Sequence, residues 1–341
     1  TAAASASLSS PASADPPLGS SPVAPAVPFA LAASPSDSSG DSTSTSTASS
    51  SLIPDRSRSA GISVQNRDAT GGFIFAAPPR SVPYATLTLD LLREGHAPAE
   101  AIDRLTTGDD EAPSRQVGVV SADPDEPPAA FSGDECHDHA GDRQGDHYTV
   151  QGNILENADT LDAMTETFEE TDGGLPERLI AALHAGNAAG GDKRGEQSAA
   201  LYVAKPGGGY GGRNDRWVDV RVDDHERPID ELERVFKTYD VTLLEREPPD
   251  ETRELTGETA VAVQTALGDL DFYDGEPTAE FGGDARDALE TFRGMNSFEN
   301  HSLAVLEDAV ARGRDATEPD AGPEKRLVDA IWHGLSRLDR V

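Results

Sequence analysis

Residues 190–203, "GGDKRGEQSAALYV", crowd three glycines, two acids, two cations and a Gln-Ser pair between a helical pattern and an apolar, strand-like run. Gly190 and Gly191 permit close backbone approach, Asp192 and Arg194 can pair or orient a substrate, and Gln197 and Ser198 offer donors at the mouth of a strand. A buried Asp-Arg pair that only fixes the helix-to-strand connection would look the same. Asn153 in "QGNIL" carries an amide able to stabilise an oxyanion in acyl transfer, or to satisfy backbone groups at a strand end. In "RVDDH", Asp223 and His225 are two residues apart. On an extended strand they share a face, so the carboxylate could orient a general base; Pro228 shortly afterwards makes helix capping an equal role for the acids.

Two other stretches hold chemistry-bearing residues but the wrong spacing. "CHDHAGDRQGDH" gathers Cys136, His137, His139 and His147, types that bind Zn²⁺ or Cu²⁺, yet it matches no closed four-ligand motif, and no metal is expected. "GGGYGG" has neither a Lys-Ser/Thr pair nor a following helix, so it reads as a hairpin and implies no cofactor.

The elements that must position these residues are legible from residue 81 onward. "YATLTLDLLREGHAPAEAIDRLTTG" predicts two helices, with Pro98 in the first turn of the second and Ala101, Ile102 and Leu105 on one apolar face. "RQVGVVSAD", "AAFSG", "HYTVQGNIL", "QSAALYVAK" and "RWVDVRVDDH" predict strands. Between them, Leu161, Met164 and Phe168 recur at helical spacing, and "LPERLIAALHAG" predicts a helix capped by Gly186. Pro228 opens a further helix, and several short amphipathic helices follow. The reading is an α/β (α+β) layered domain over 81–235 and a small all-helical domain over 236–341. Residues 1–80 are low in complexity, with 19 serines among the first 60, a composition that buries too little apolar surface to order.

Formal charge is −34, spread along whole helices, which disfavours nucleic acid and anionic membrane as partners. Acid distributed in this way suits a surface built for high salt, where screening removes self-repulsion, and points to a salt-in halophile. Cys136 is the only cysteine, so no intrachain disulfide forms, and the short, proline-broken "APAVPFALAA" is neither signal peptide nor membrane span. A cytoplasmic location is expected.

"SRQVGVV", "FSGDEC", "YTVQGNIL", "AMTETFEE", "LPERLIAALHAGNAAGGDKRGEQSAALYV" and "VDVRVDDHERPIDEL", in this order, resemble the DUF1028 family, which is itself similar to the N-terminal-nucleophile (Ntn) hydrolases. "AVQTALGDLDFYDG" and "EFGGDARDALETFRGMNSF" resemble a small peptidoglycan-binding-like helical domain. The resemblance implies a four-layer αββα sandwich with that domain appended and no established substrate. It also implies an amide-bond hydrolase acting on a small-molecule amide or peptide, with Thr1 as nucleophile and its α-amine as base. Asn153 and the loop from Asp192 to Ser198 would then form the cleft wall. A non-catalytic ligand- or partner-binding module is the alternative, and a homo-oligomer is compatible with either. The chain departs from the family pattern in one place: residues 2–80 carry no recognisable opening strands. They read either as a disordered extension or as a frameshifted segment of a GC-rich gene, which would leave the sandwich incomplete at its N-terminus.

Overall fold

In the computed structural model, the described residues are the strand segments 29–33, 45–49, 62–64 and 73–77, and residues 82–340 apart from 122, 124, 138 and 319. The first four strands are β1 (Phe29–Ala33), β2 (Thr45–Ser49), β3 (Ile62–Val64) and β4 (Phe73–Ala77). Two helices follow, α1 (Val82–Arg93) and α2 (Pro98–Thr106), then strands β5 (Gln116–Val120), β6 (Ala129–Ser132), β7 (Gly141–Gln144) and β8 (Tyr148–Gly152). Helices α3 (Asp159–Glu170) and α4 (Leu175–Ala188) precede the antiparallel pair β9 (Ala199–Ala204) and β10 (Arg216–Val222). One sheet has the order β10-β9-β2-β1-β8-β7 and the other β3-β4-β5-β6.

Alternation along the strands builds the layers. Tyr148 and Val150 of β8 pack with Leu161, Met164 and Phe168 of α3, and Leu201 and Val203 of β9 join the same core. Val117 and Val119 of β5 pack with Tyr84, Leu89 and Ile102 of α1 and α2. The opposite faces of β8 and β5 meet: a Cβ placed on Gly118 would lie 2.3 Å from Cδ of Gln151. The result is helices, sheet, sheet, helices, the αββα order expected from the resemblance.

The strands in 29–77 correct the expectation that nothing there enters the sandwich. Paired on either side with β8 and β9, β1 and β2 fill the middle of the six-stranded sheet, while β4 pairs with β5. Their sequences, "FALAA" and "TSTAS" among them, lack the alternation of large apolar and polar residues that marks a half-buried strand. The remaining residues of 1–80, Thr1 included, lie outside the described ones.

Gly186 is not a cap. Helix α4 continues through it to Ala188, and a Cβ there would meet Cγ of Met164 at 2.5 Å, so the glycine serves close packing of α4 on α3.

Helix α5 (Pro228–Leu243) joins two cores: Ile229, Leu232 and Phe236 belong to the sandwich, whereas Val241 belongs to the helical domain. The expected boundary at 235 therefore falls inside a helix. Beyond it, α6 (Gly257–Asp269), α7 (Gly283–Met295), α8 (Leu303–Gly313) and α9 (Pro323–Leu335) enclose Leu267, Phe292, Leu306 and Ile331. At the α8–α9 crossing the backbones touch, since a Cβ on Gly313 would lie 1.9 Å from the Ala330 carbonyl oxygen and one on Gly334 1.9 Å from that of Ala309.

The two domains are tied by an ionic knot. Asp240, fully buried, accepts from Arg246 Nη2 (2.5 Å), Trp332 Nε1 (3.0 Å) and Arg340 Nε (3.2 Å), while Arg340 also pairs with Glu177 of α4. No described helix is long and apolar enough to cross a membrane.

Candidate functional site: a polar seam between the sheets

The strand "YTVQG" alternates, but its second face is polar rather than solvated. Thr149 and Gln151 point between the sheets, are fully buried, and face Gln116 of β5, also fully buried. Gln116 Nε2 donates to Gly152 O (2.8 Å), Gly141 O (3.0 Å) and Ser132 Oγ (3.0 Å), and Ser132 Oγ lies 3.2 Å from Asp142 Oδ1. These bonds pin one sheet to the other. They leave Gln116 Oε1, Thr149 Oγ1, both amide atoms of Gln151 and Asn153 Oδ1 buried without a hydrogen-bond partner among the described residues. Each such orphan costs roughly 1–3 kcal/mol, so a row of them on one strand face calls for partners beyond the described residues, such as water or a bound polar group.

Just past β8 the chain turns through Ile154 at φ 58°, a left-handed conformation that a β-branched residue adopts only when its surroundings impose it. The loop carrying Asp192 imposes it here. Lys193 N donates to Ile154 O (3.0 Å), Glu156 N donates to Gly191 O (3.0 Å), and Leu155 and Asp192 form a bridge. Asn153 is thus held at the junction of the seam and the 190–198 loop.

Within the loop the glycines have distinct reasons. Gly190 (φ 138°) and Gly191 (φ 60°) occupy backbone space that other residues rarely adopt, and a Cβ on Gly190 would strike Asn157 Nδ2 at 2.7 Å. The Asp192 carboxylate is buried and saturated by Arg194, accepting from its backbone N (2.8 Å), Nε (3.1 Å) and Nη2 (2.9 Å). Such a pair braces the loop, while the Arg194 side chain keeps about a third of its surface in solvent. Ser198 is buried at the start of β9, and Gln197 Nε2 reaches Asp224 Oδ1 at 2.9 Å.

Asp223 and His225 are not brought together. Asp223 pairs with Arg221 (2.5 Å), and His225 Nδ1 accepts from Arg227 N (3.0 Å), because β10 ends at Val222 and the face shared on an extended strand is lost. Nor do the acids cap α5, whose first turn has no side-chain cap. His225 instead lines a shallow surface depression with Glu196, Gln197 and Asp224. Cys136 donates to Arg115 O (3.5 Å), and burial pushes its thiol up, away from nucleophilic character. Among the described residues no three His, Cys, Asp or Glu side chains converge as a metal site. Sequence reasoning passed over Gln116, Thr149 and Gln151. The available signal was polar residues at every second position of a strand whose partners are all buried.

A four-layer sandwich with a polar inter-sheet seam and an appended helical domain is the class that fold and site define. Residues 45–232 match the model of the "Family of unknown function (DUF1028)", which takes in more than half of the chain; the chain belongs to that family, and the match reaches upstream of residue 81. Residues 242–320 match "Putative peptidoglycan binding domain". Among solved structures, protein SPO2555 from Silicibacter pomeroyi, a DUF1028 crystal structure, is similar at 28% identity with a TM-score of 0.51, over 63% of this chain and 86% of that one. No curated protein matches.

Proposed function

We propose that this protein is an Ntn-type amide-bond hydrolase of a halophile that binds a small amide or peptide against the seam. The observation that carries this reading is the row of orphaned polar atoms on Thr149, Gln151 and Asn153, which ends at the strained turn beside the 190–198 loop. A carboxamide offers both donor and acceptor, and so complements Gln151, both of whose amide atoms are open. Asn153 would donate through Nδ2, not through its orphaned Oδ1, to the oxygen that becomes negative when the amide carbonyl is attacked, and Arg194, braced on Asp192, would orient the remainder of the substrate. The nucleophile expected from the resemblance is Thr1, with water releasing the acid after the amine has left.

The test is amine or ammonia release from a panel of glutamine, asparagine and N-acetylated dipeptide amides. Turnover is expected with the native protein, and Asn153→Ala should lower kcat by about 10²–10³, the loss typical of one oxyanion donor. Calorimetric binding of an amide with no release would replace the hydrolase by the non-catalytic binding module.

The halophile part rests on the outward faces of the helices. On α3, Asp159, Asp162, Glu166, Glu169 and Glu170 are exposed opposite buried Leu161, Met164 and Phe168. The unfolding midpoint is expected to rise by roughly 10 °C between about 0.1 M and about 3 M KCl, as the screening length falls from ~10 Å to below ~3 Å. A flat or falling midpoint would remove this assignment.

A further inference from the structure

Away from the seam, a groove of about 700 Å³ opens where the β9–β10 hairpin meets the helical domain. Its volume falls within the roughly 300–1,000 Å³ of ordinary ligand sites. One wall is the hairpin tip around Gly207 and Tyr210; the other comes from the end of α5 and the residues after it, Thr242–Glu245, and from Asn300 of the helical domain. Neither domain alone makes the groove.

Aromatic residues make up only 5% of the chain, yet Tyr210, Trp217 and Tyr239 all line this one groove. Tyr210 is 90% exposed at the hairpin tip, an unusual place for so large a ring. Trp217 and Tyr239 are fixed: Tyr239 OH donates to Trp217 O (2.8 Å), and Lys205 Nζ stands 5.2 Å from the Trp217 ring centroid. Around the rings lie one cation, Lys205, one anion, Glu245, and the neutral Thr242 and Asn300, so the lining carries no net charge. With −34 on the whole chain, an anionic ligand would be repelled on approach.

We infer that this groove binds a neutral oligosaccharide, stacked on Tyr210 and hydrogen-bonded by the polar residues of both walls. A sugar ring presents an apolar face of C–H groups and a rim of hydroxyls. One exposed and two half-buried rings, interleaved with uncharged and charge-balanced polar groups, match both features.

The experiment is titration of the full chain, in molar KCl, with triacetylchitotriose, cellotriose and maltotriose, read by calorimetry and tryptophan fluorescence. Saturable binding of at least one trisaccharide is expected, and Tyr210→Ala should weaken it by about tenfold, the effect of one stacking contact. Because Tyr210 is almost wholly exposed, its unfolding midpoint should stay that of the native chain. Failure of all three sugars to saturate, binding that survives Tyr210→Ala unchanged, or tighter binding of glucose 6-phosphate than of any neutral trisaccharide would each overturn the inference.

Discussion

Replacing Asp240 with alanine is expected to destabilise the protein by about 3–5 kcal/mol, the range found when one partner of a buried ion pair is removed. Its carboxylate is the common acceptor for Arg246, Arg340 and the Trp332 indole. Arg246 keeps one further bond, from Nη1 to Leu338 O (3.1 Å), and Arg340 keeps Glu177, so two guanidinium groups would be left facing a single carboxylate. Because Asp240 sits in the helix shared by both cores, the variant should also lose the coupling between them. Urea denaturation in molar KCl is the check: one transition for the native chain, two for Asp240→Ala, and a smaller loss for Glu177→Gln, whose side chain is partly solvated. A loss below about 0.5 kcal/mol would mean that the knot is relaxed by water and contributes little.

Gly334→Ala should cost about 3 kcal/mol or more, although alanine ordinarily stabilises a helix interior by roughly 0.5–1 kcal/mol relative to glycine. The sign reverses because the added Cβ would fall 1.9 Å from the Ala309 carbonyl oxygen, which belongs to α8 backbone and cannot rotate away. The helices would have to separate, and Leu306, Val310 and Ile331 around the crossing would lose their packing. Gly294→Ala in α7 is the control. Nothing lies within 4 Å of a Cβ there, so the ordinary stabilising sign should return. Thermal unfolding of the two variants beside the native chain reads both effects, and a neutral Gly334→Ala would refute the close crossing.

Strong periodicity made much of this architecture readable. The helices around Leu161, Met164 and Phe168, and around Ala101 and Ile102, come directly from apolar spacing, and the antiparallel β9–β10 pair from two apolar runs around a glycine-rich turn. What escaped has a physical reason in each case. Alternation shows that "YTVQG" is a strand but not what its polar face meets, and only the packing of β5 on β8 turns Thr149 and Gln151 from solvated residues into buried ones. Gly186 carries the signature of a cap, yet Met164, far away in sequence, decides its use. Asp223 and His225 share a face only if the strand continues, and it ends at Val222, before either of them. The Asp192–Arg194 pair was readable because its partners are two residues apart, whereas the placement of Asn153 beside this loop depends on the Leu155–Asp192 bridge between distant segments.

The placement of β1 and β2 has a consequence for how the chain is made. On a ribosome they emerge well before β8 and β9, yet each pairs with one of these later strands: Leu31 with Val150, and Thr47 with Tyr202. Until β9 has left the exit tunnel the six-stranded sheet cannot close, and the β1–β2 hairpin must wait with both edges open. The sandwich can therefore form only once the segment through β10 has emerged, while the helical domain that follows is still being made.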